Sequence, residues 1–241
     1  MQIVSLPASY GAAWLRDGWR LLKRQPLGLP AMVVIYLLML LLPAIVPYIG
    51  VAISGVLSPF ATVGLMGAVR EISAGRAPTP HVFAVPFQDV VRRLLLLRLG
   101  MIHAALMLVV LTLAQAIARL APPASEEARA FTELLWQLLL MTPVMILMWF
   151  APLLTGWHGH GPGKAMFGSV IACWRNKGAL AVYGLLLFAI LLGVSFVTVS
   201  VVSLLFSSRQ ALSIALAPVG LALIAWIQAT FYPMYRSIFS N

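Results

Sequence analysis

Residues 178–208 read GALAVYGLLLFAILLGVSFVTVSVVSLLFSS, and none of these side chains is ionised at neutral pH. A run of this length suits a bilayer and no water-soluble fold. An ionised group at the membrane centre costs about 2.5–3.5 kcal/mol on insertion scales, and about 20 apolar residues cross the hydrocarbon core. Counting histidine as neutral, four more runs share the property: Gln25–Val69, Leu99–Ala118, Leu134–Gly163 and Gln210–Tyr235. Over its 241 residues the chain is 62% hydrophobic and 9% charged, where a soluble domain is about 25% charged. The expected fold class is all-α, a polytopic transmembrane helical bundle.

Gln25–Val69 is long enough to cross twice, and Pro43, Pro47 and Gly50 supply a break in its middle. Six spans are expected, over Leu27–Tyr48, Ile49–Val69, Leu94–Ala118, Thr132–Trp157, Ala179–Phe206 and Leu212–Tyr235. Arg98, in the first turns of the third, snorkels back to the interface. With a cytoplasmic N-terminus, Arg119, Arg129 and Arg209 lie outside and the other thirteen of the sixteen Lys and Arg residues lie inside. That asymmetry is the positive-inside pattern, and it places both termini in the cytoplasm. The chain is read as one integral-membrane domain over 1–241, with a cytoplasmic interfacial helix in 1–26, the six spans in 27–235 and a cytoplasmic tail in 236–241. The first residues, Met1 to Ala13, lack the order of a cleaved signal, so the first apolar run is expected to act as an uncleaved one.

A net charge of +10 points to nucleic acid only if its distribution is ignored. The basic residues form short clusters beside apolar runs, as anchors facing anionic headgroups do. Ala12–Arg24 is the clearest case. At 100° per residue, Trp14, Leu15, Gly18, Trp19, Leu21 and Leu22 share one side, opposite Arg16, Asp17, Arg20, Lys23 and Arg24. This fits a helix lying in the inner interface with its tryptophans in lipid. Gly163–Lys177 repeats the device, with Met166, Phe167, Val170, Ile171 and Trp174 on its apolar side. Thr79–Arg93 is a third such segment, with Thr79 as N-cap and Pro80 as first helical residue. Each cluster precedes an odd-numbered span, and each even-numbered span carries a proline (Pro59, Pro152, Pro233). Three helical-hairpin pseudo-repeats in parallel orientation follow.

The stretches GAAWLRDGWRLLKRQP (11–26), SPFATVGLMGAVREISAGRAP (58–78), FAPLLTGWHGHGPGKAMFGSVIACWRNKGAL (150–180) and YPMYRSIF (232–239) resemble an uncharacterised proteobacterial family of six-span inner-membrane proteins. The wider group includes YciC-like proteins and the membrane domain fused to some glycerophosphodiesterases. The resemblance covers nearly the whole chain and implies an architecture and a bacterial inner-membrane location. Its motifs are topogenic, and with no enzyme domain here the diesterase activity does not transfer.

Between helices in lipid, close packing replaces hydrophobic burial. Gly50, Ser54, Ser58, Ala61, Gly64 and Ala68 give the second span a stripe of small residues, which marks it as a central helix. Ser195, Thr198, Ser200 and Ser203 in the fifth span can bond their own helix carbonyls. Pro143 and Pro218 permit kinks. Ionisable groups inside spans are the default pointers to function, and His103 alone lies well inside one. Beside it stand only the neutral Gln115, Gln137 and Gln228. A hydrogen bond from His103 to a neighbouring helix accounts for it, and a proton relay is the competing reading.

His158 and His160 form a His-Gly-His triplet at the inner end of the fourth span. Their spacing is not helical ligand geometry, and His81 and Cys173 would have to be recruited to hold a metal. Cys173, the single cysteine, excludes an internal disulfide. Asp17, Glu71 and Asp89 lie among basic residues and pair with them; Glu126, Glu127 and Glu133 lie outside. No catalytic, cofactor or metal residue is assigned, and no enzyme activity is expected. The leading reading is a non-enzymatic membrane scaffold or envelope-maintenance protein. A passive channel or exporter of small molecules or lipid is the alternative, and a lipid-acting enzyme ranks third. The expected partners are anionic lipid headgroups at the cytoplasmic face, with other membrane proteins or further copies of the chain, and no nucleic acid.

Overall fold

The computed structural model describes residues 2–47, 49–120, 125–205 and 209–240, with backbone alone for 205, 209–215 and 240. The helices are α1 (Tyr10–Arg24), α2 (Gly28–Ala44), α3 (Ile49–Ser73), α4 (Val85–Gln88), α5 (Val90–Leu120), α6 (Glu126–Met148), α7 (Ala151–His158), α8 (Pro162–Arg175), α9 (Lys177–Leu205) and α10 (Arg209–Ile238). Two short strands, β1 (Gln2–Ile3) and β2 (Phe239–Ser240), pair antiparallel with Ile3 opposite Phe239. Among the described residues, α3, α5, α6 with α7, α9 and α10 are long and apolar enough to cross a membrane. α1 and α2 together make a sixth candidate, bent by 104° between them. The chain is a polytopic helical membrane bundle, as its uncharged runs dictate. It divides into two compact units, Met1–Ile35 with Leu65–Val82 and Ile171–Asn241, and Tyr36–Gly64 with Phe83–Val170.

In the first unit α1 lies on α9 and α10. Two glycines permit the approach. A Cβ on Gly11 would stand 2.5 Å from the Ala179 carbonyl oxygen, and one on Gly18 would stand 2.5 Å from Thr230 Cγ2 and 2.9 Å from its backbone nitrogen. Trp14, 1% exposed, sits edge-on to Tyr183 and donates its indole N–H to Ser237 Oγ at 2.9 Å. Trp226 donates to the Leu15 carbonyl at 2.9 Å. The apolar face expected to meet lipid is therefore covered by protein, because glycines on it let helices close to backbone contact. Trp19 keeps part of the expected role, at 49% exposed.

Asn176, 1% exposed, ties down the segment before α1. Its amide oxygen accepts from the Leu6 N–H at 2.9 Å, and its amide nitrogen donates to the Val4 and Ala172 carbonyls at 3.0 Å each. With the Val4 N–H bonded to the Ile238 carbonyl at 2.9 Å, both ends of the chain are held side by side.

In the second unit the small-residue reasoning holds, with partners the sequence did not specify. The α2–α3 hairpin is tight enough that a Cβ on Gly50 would fall 1.8 Å from the Pro43 carbonyl. Ser54 donates to the Leu40 carbonyl at 2.6 Å. Further along, Gly55 meets Ala104, and Gly100 meets the Val56 carbonyl, so α3 and α5 touch at backbone distance. Half of the apolar window of α3 is buried, against 6–39% for the other four unbent candidate spans, which agrees with a central second span.

Three expected elements differ. The fourth span is two helices, because Pro152 lacks an N–H and its ring collides with the carbonyl four residues back. The opening is closed by Ser169 of α8, whose hydroxyl accepts from the Phe150 N–H at 3.0 Å and donates to the Ile146 carbonyl at 2.7 Å. It stands where the direct Phe150-to-Ile146 helical bond would run. The segment Thr79–Arg93 is not one helix. A 3₁₀ turn (Pro80–Phe83) and α4 precede α5, which starts where Asp89 Oδ1 accepts from the N–H groups of Val91 and Arg92 at 2.9 and 3.1 Å. In α8 the buried positions are Ala165, Ser169, Ala172 and Cys173, while Phe167 and Trp174 are 65% and 71% exposed. The small face meets protein and the two large rings face outward.

Gly18→Leu forces a branched side chain into Thr230, and overpacking of this kind costs about 1–3 kcal/mol. A lowered midpoint of thermal unfolding in mild detergent is expected, whereas Gly184→Leu, where nothing lies within 4 Å of a Cβ, leaves it unchanged. Ser169→Ala removes both partners of the opened turn and is expected to destabilise by about 1–3 kcal/mol, read in the same melt, with Ser169→Thr, which keeps the hydroxyl, recovering most of the loss.

Candidate functional site

The candidate built from the structure lies in the first unit, where α1, α3 and α10 end together. Asp17, Arg20, Leu21 and Arg24 fall on one face of α1 by helical spacing. Tyr232, Pro233, Arg236 and Ser237 belong to the final turns of α10, and Ser73 closes α3. These residues line a cleft of about 470 Å³. Arg20 pairs with Asp17 at 2.9 Å, and Arg24 Nη1 donates to the Ser73 carbonyl at 3.3 Å. The Arg236 guanidinium stands over the Tyr232 ring, 6.0 Å from its centroid. Three cations and one carboxylate leave the lining net positive. The floor is apolar, since Leu21 is buried and the Tyr232 ring and Pro233 contribute carbon.

The residues singled out from the sequence are distributed otherwise. His103, in the second unit, bonds through Nδ1 to the Gly55 carbonyl at 3.2 Å. That is the interhelical bond expected of it. His158 and His160 lie with ring centroids 6.0 Å apart. Burial, with the Lys164 ammonium adding to it, lowers the pKa of His160. Among the described residues no set of three His, Cys, Asp or Glu side chains gathers as metal ligands. Cys173 is buried. The carboxylates pair as expected: Asp17 with Arg20, Glu71 with Arg76 and Asp89 with Arg92, and outside these Glu126 with Arg129. Arg76 gains charge stabilisation from Glu71, which raises its pKa further. Gln137 lies beside Met107, Val110, Leu111, Leu138 and Met141 along an apolar cavity of about 270 Å³ in the second unit. Thr198 donates back to the Val194 carbonyl at 2.8 Å, as anticipated for the fifth span.

Sequence reasoning named Arg20, Arg24 and Arg236 as inner-face charges without grouping them. The helical period pairs Arg20 with Arg24, but no local signal connects either to Ser73 or Arg236. Ser169 and Asn176, which do the most for backbone satisfaction, were not singled out by it as partners at all.

The chain is 36% identical over 257 aligned residues to a probable inner membrane protein of Burkholderia thailandensis, an alignment that covers 99% of this chain and 94% of that protein. No family model matches the chain, and no solved structure matches it.

His103→Gln keeps a hydrogen-bonding group and cannot titrate, so its thermal unfolding midpoint is expected to equal that of the parent protein. His103→Leu loses the bond to Gly55 and is expected to cost about 0.6 kcal/mol, the average for an interhelical bond in lipid. Equal loss in both variants would show that the ring's shape matters rather than its bond.

Proposed function

The chain belongs to the family of that Burkholderia inner membrane protein, and from this premise we propose that it is a non-enzymatic scaffold of the bacterial inner membrane. It acts by holding lipid and other membrane proteins. The observation that carries the reading is how polar groups in the spans are used. The Ser54 hydroxyl, the His103 ring, the Ser169 hydroxyl and the Thr112, Thr142 and Thr198 hydroxyls each bond a backbone carbonyl of their own unit. Ser54, His103 and Ser169 bond carbonyls of a neighbouring helix and so hold helices together, while the three threonines are satisfied within their own helix. A transport relay needs polar side chains that face a path.

Outward-facing hydrophobic surface supports the same reading. On α9, Leu185, Phe188, Phe196 and Leu204 are all more than 60% exposed, which leaves that helix to lipid or to a partner helix. The paired termini support an even number of crossings, and with thirteen basic residues on one side, both ends in the cytoplasm. The finer kinship with YciC-like proteins and diesterase-fused membrane domains rests on the quoted motifs alone. A second reading, a channel or exporter for a small or lipid-like molecule, is favoured by the apolar cavity beside Gln137.

Three measurements test the proposal. A reporter active only outside the cytoplasm is expected to stay silent when fused after Asn241 and to be active when inserted beside Ser125; activity at Asn241 would remove the six-span orientation. Proteoliposomes holding the purified protein are expected to release an entrapped small fluorophore no faster than empty vesicles. Release above that level would replace the scaffold by the channel. Membrane proteins that co-purify in mild detergent and vanish with a Phe188→Ala/Phe196→Ala variant would support it.

A further inference from the structure

We propose that the cleft formed by Arg20, Arg24 and Arg236 is a discrete site for a phosphate-bearing anion, filled in the membrane by a phospholipid headgroup. The proposal deepens the scaffold reading and rests on it for the choice of lipid over a soluble phosphate.

Guanidinium is the side chain best matched to a phosphate. It is planar, permanently charged and presents a fork of donors to two oxygens at once. Three such groups line one cleft of about 470 Å³ here, opposite a single carboxylate. Each is held by a different neighbour. Asp17 takes one edge of Arg20 at 2.9 Å, the Ser73 carbonyl takes one donor of Arg24 at 3.3 Å, and the Tyr232 ring lies under Arg236. These contacts use only part of each donor set, so the groups are oriented and retain donors for a ligand. Such preorganisation lowers the cost of binding, since the side chains are ordered beforehand.

The position favours a headgroup. Arg236 is in the last turns of α10, a helix long and apolar enough to cross a membrane, so the cleft lies at a membrane boundary. Trp19 on the same helix as Arg20 is half-exposed and lies edge-on to Trp226, and tryptophan favours the headgroup level. A cationic rim over an apolar floor of Leu21 and Pro233 suits an amphiphile with a phosphate above its carbon chains. One consideration opposes an anion: α1, α3 and α10 all present C-terminal carbonyls here, and these repel negative charge. Arg24 answers this directly for α3, by donating to the carbonyl of Ser73.

The test uses the full chain purified in mild detergent. Native mass spectrometry or a titration of bound lipid measures affinity for phosphatidylglycerol, for phosphatidylcholine and for inorganic phosphate. The variant Arg20→Gln/Arg24→Gln/Arg236→Gln is compared with Arg16→Gln/Lys164→Gln/Arg175→Gln, which removes equal charge from other inner-face positions. The cleft variant is expected to lose about tenfold or more in affinity for phosphatidylglycerol, and the control about twofold or less. Asp17→Asn, which removes the one opposing carboxylate, is expected to tighten binding, and it keeps the proposal testable if the triple variant folds poorly. Arg236→Lys keeps the charge and loses the fork, so an intermediate affinity is expected.

Binding that inorganic phosphate does not displace assigns the site to lipid. Displacement by phosphate alone keeps the site and assigns it to a soluble anion. Equal losses in the cleft and control variants, or Asp17→Asn without effect, would overturn the site and leave only diffuse attraction to anionic lipid. The fluorophore release assay on the same preparations separates the two levels. Release with intact cleft selectivity sinks the scaffold and spares the site, and the reverse result does the opposite.

Discussion

A backbone N–H or carbonyl inside a bilayer has no water to turn to, and that constraint governs most of what is specific in this molecule. Regular helix satisfies most of it along α3, α5, α9 and α10, where the backbone bonds run within the helix. At three departures from regular helix, a particular polar side chain appears. Ser169 stands in the turn that Pro152 opens. Asn176 receives the extended segment before α1 with three bonds. Asp89 starts α5 after the short α4. A buried group left without such a partner costs about 1–3 kcal/mol, a large fraction of the net stability of most proteins. Ser54, His103 and Thr230 lie inside regular helices and bond there instead.

Close approach is the second consequence. Lipid competes with any apolar contact between helices, so association depends on how near two backbones come. The stripe Gly50, Ser54, Ser58, Ala61, Gly64 and Ala68 was visible from its four-residue rhythm, and the burial of α3 agrees with it. Two close contacts between α3 and α5 lie off that stripe. Gly55 against Ala104 and Gly100 against Val56 require two glycines and an alanine on separate helices to meet, and sequence spacing describes only one helix at a time. Gly11 and Gly18 were harder still. Each sits in an amphipathic segment whose pattern is fully accounted for by a lipid surface, and only the proximity of Ala179 and Thr230 shows what the missing side chains are for.

The same asymmetry separates what could be read of the fold from what could be read of the cleft. Uncharged runs and basic clusters are one-dimensional signals, and they placed five of the six expected spans within a few residues, while the first, Leu27–Tyr48, qualifies only as part of the bent pair α1–α2. The break in the fourth span was not placed, because Pro143 and Pro152 look alike in sequence. The helix runs through Pro143 and stops before Pro152, where a serine from a distant segment is available to take the freed groups. Arg20 and Arg24 share a face by the period of α1 alone. Arg236 and Ser73 reach them only through tertiary packing, which no local pattern encodes.

The position of α1 changes what its amphipathicity means. A helix with tryptophan on one side and arginine on the other is ordinarily read as lying on a membrane, its apolar face in acyl chains. Here Trp14 and Leu15 are buried in protein, and Trp14, Leu15, Tyr183, Thr230, Trp226 and Ser237 are linked by short polar and ring contacts. The apolar face is thus a packing surface, and the cationic face is left to meet whatever lies at the boundary. Because α1 is clamped by glycine contacts and the segment before it by Asn176, the backbone that carries Arg20 and Arg24 is held against α10, which carries Arg236. A surface-floating helix would offer anionic lipid a mobile charge. This one carries Arg20 and Arg24 on a backbone packed against α10.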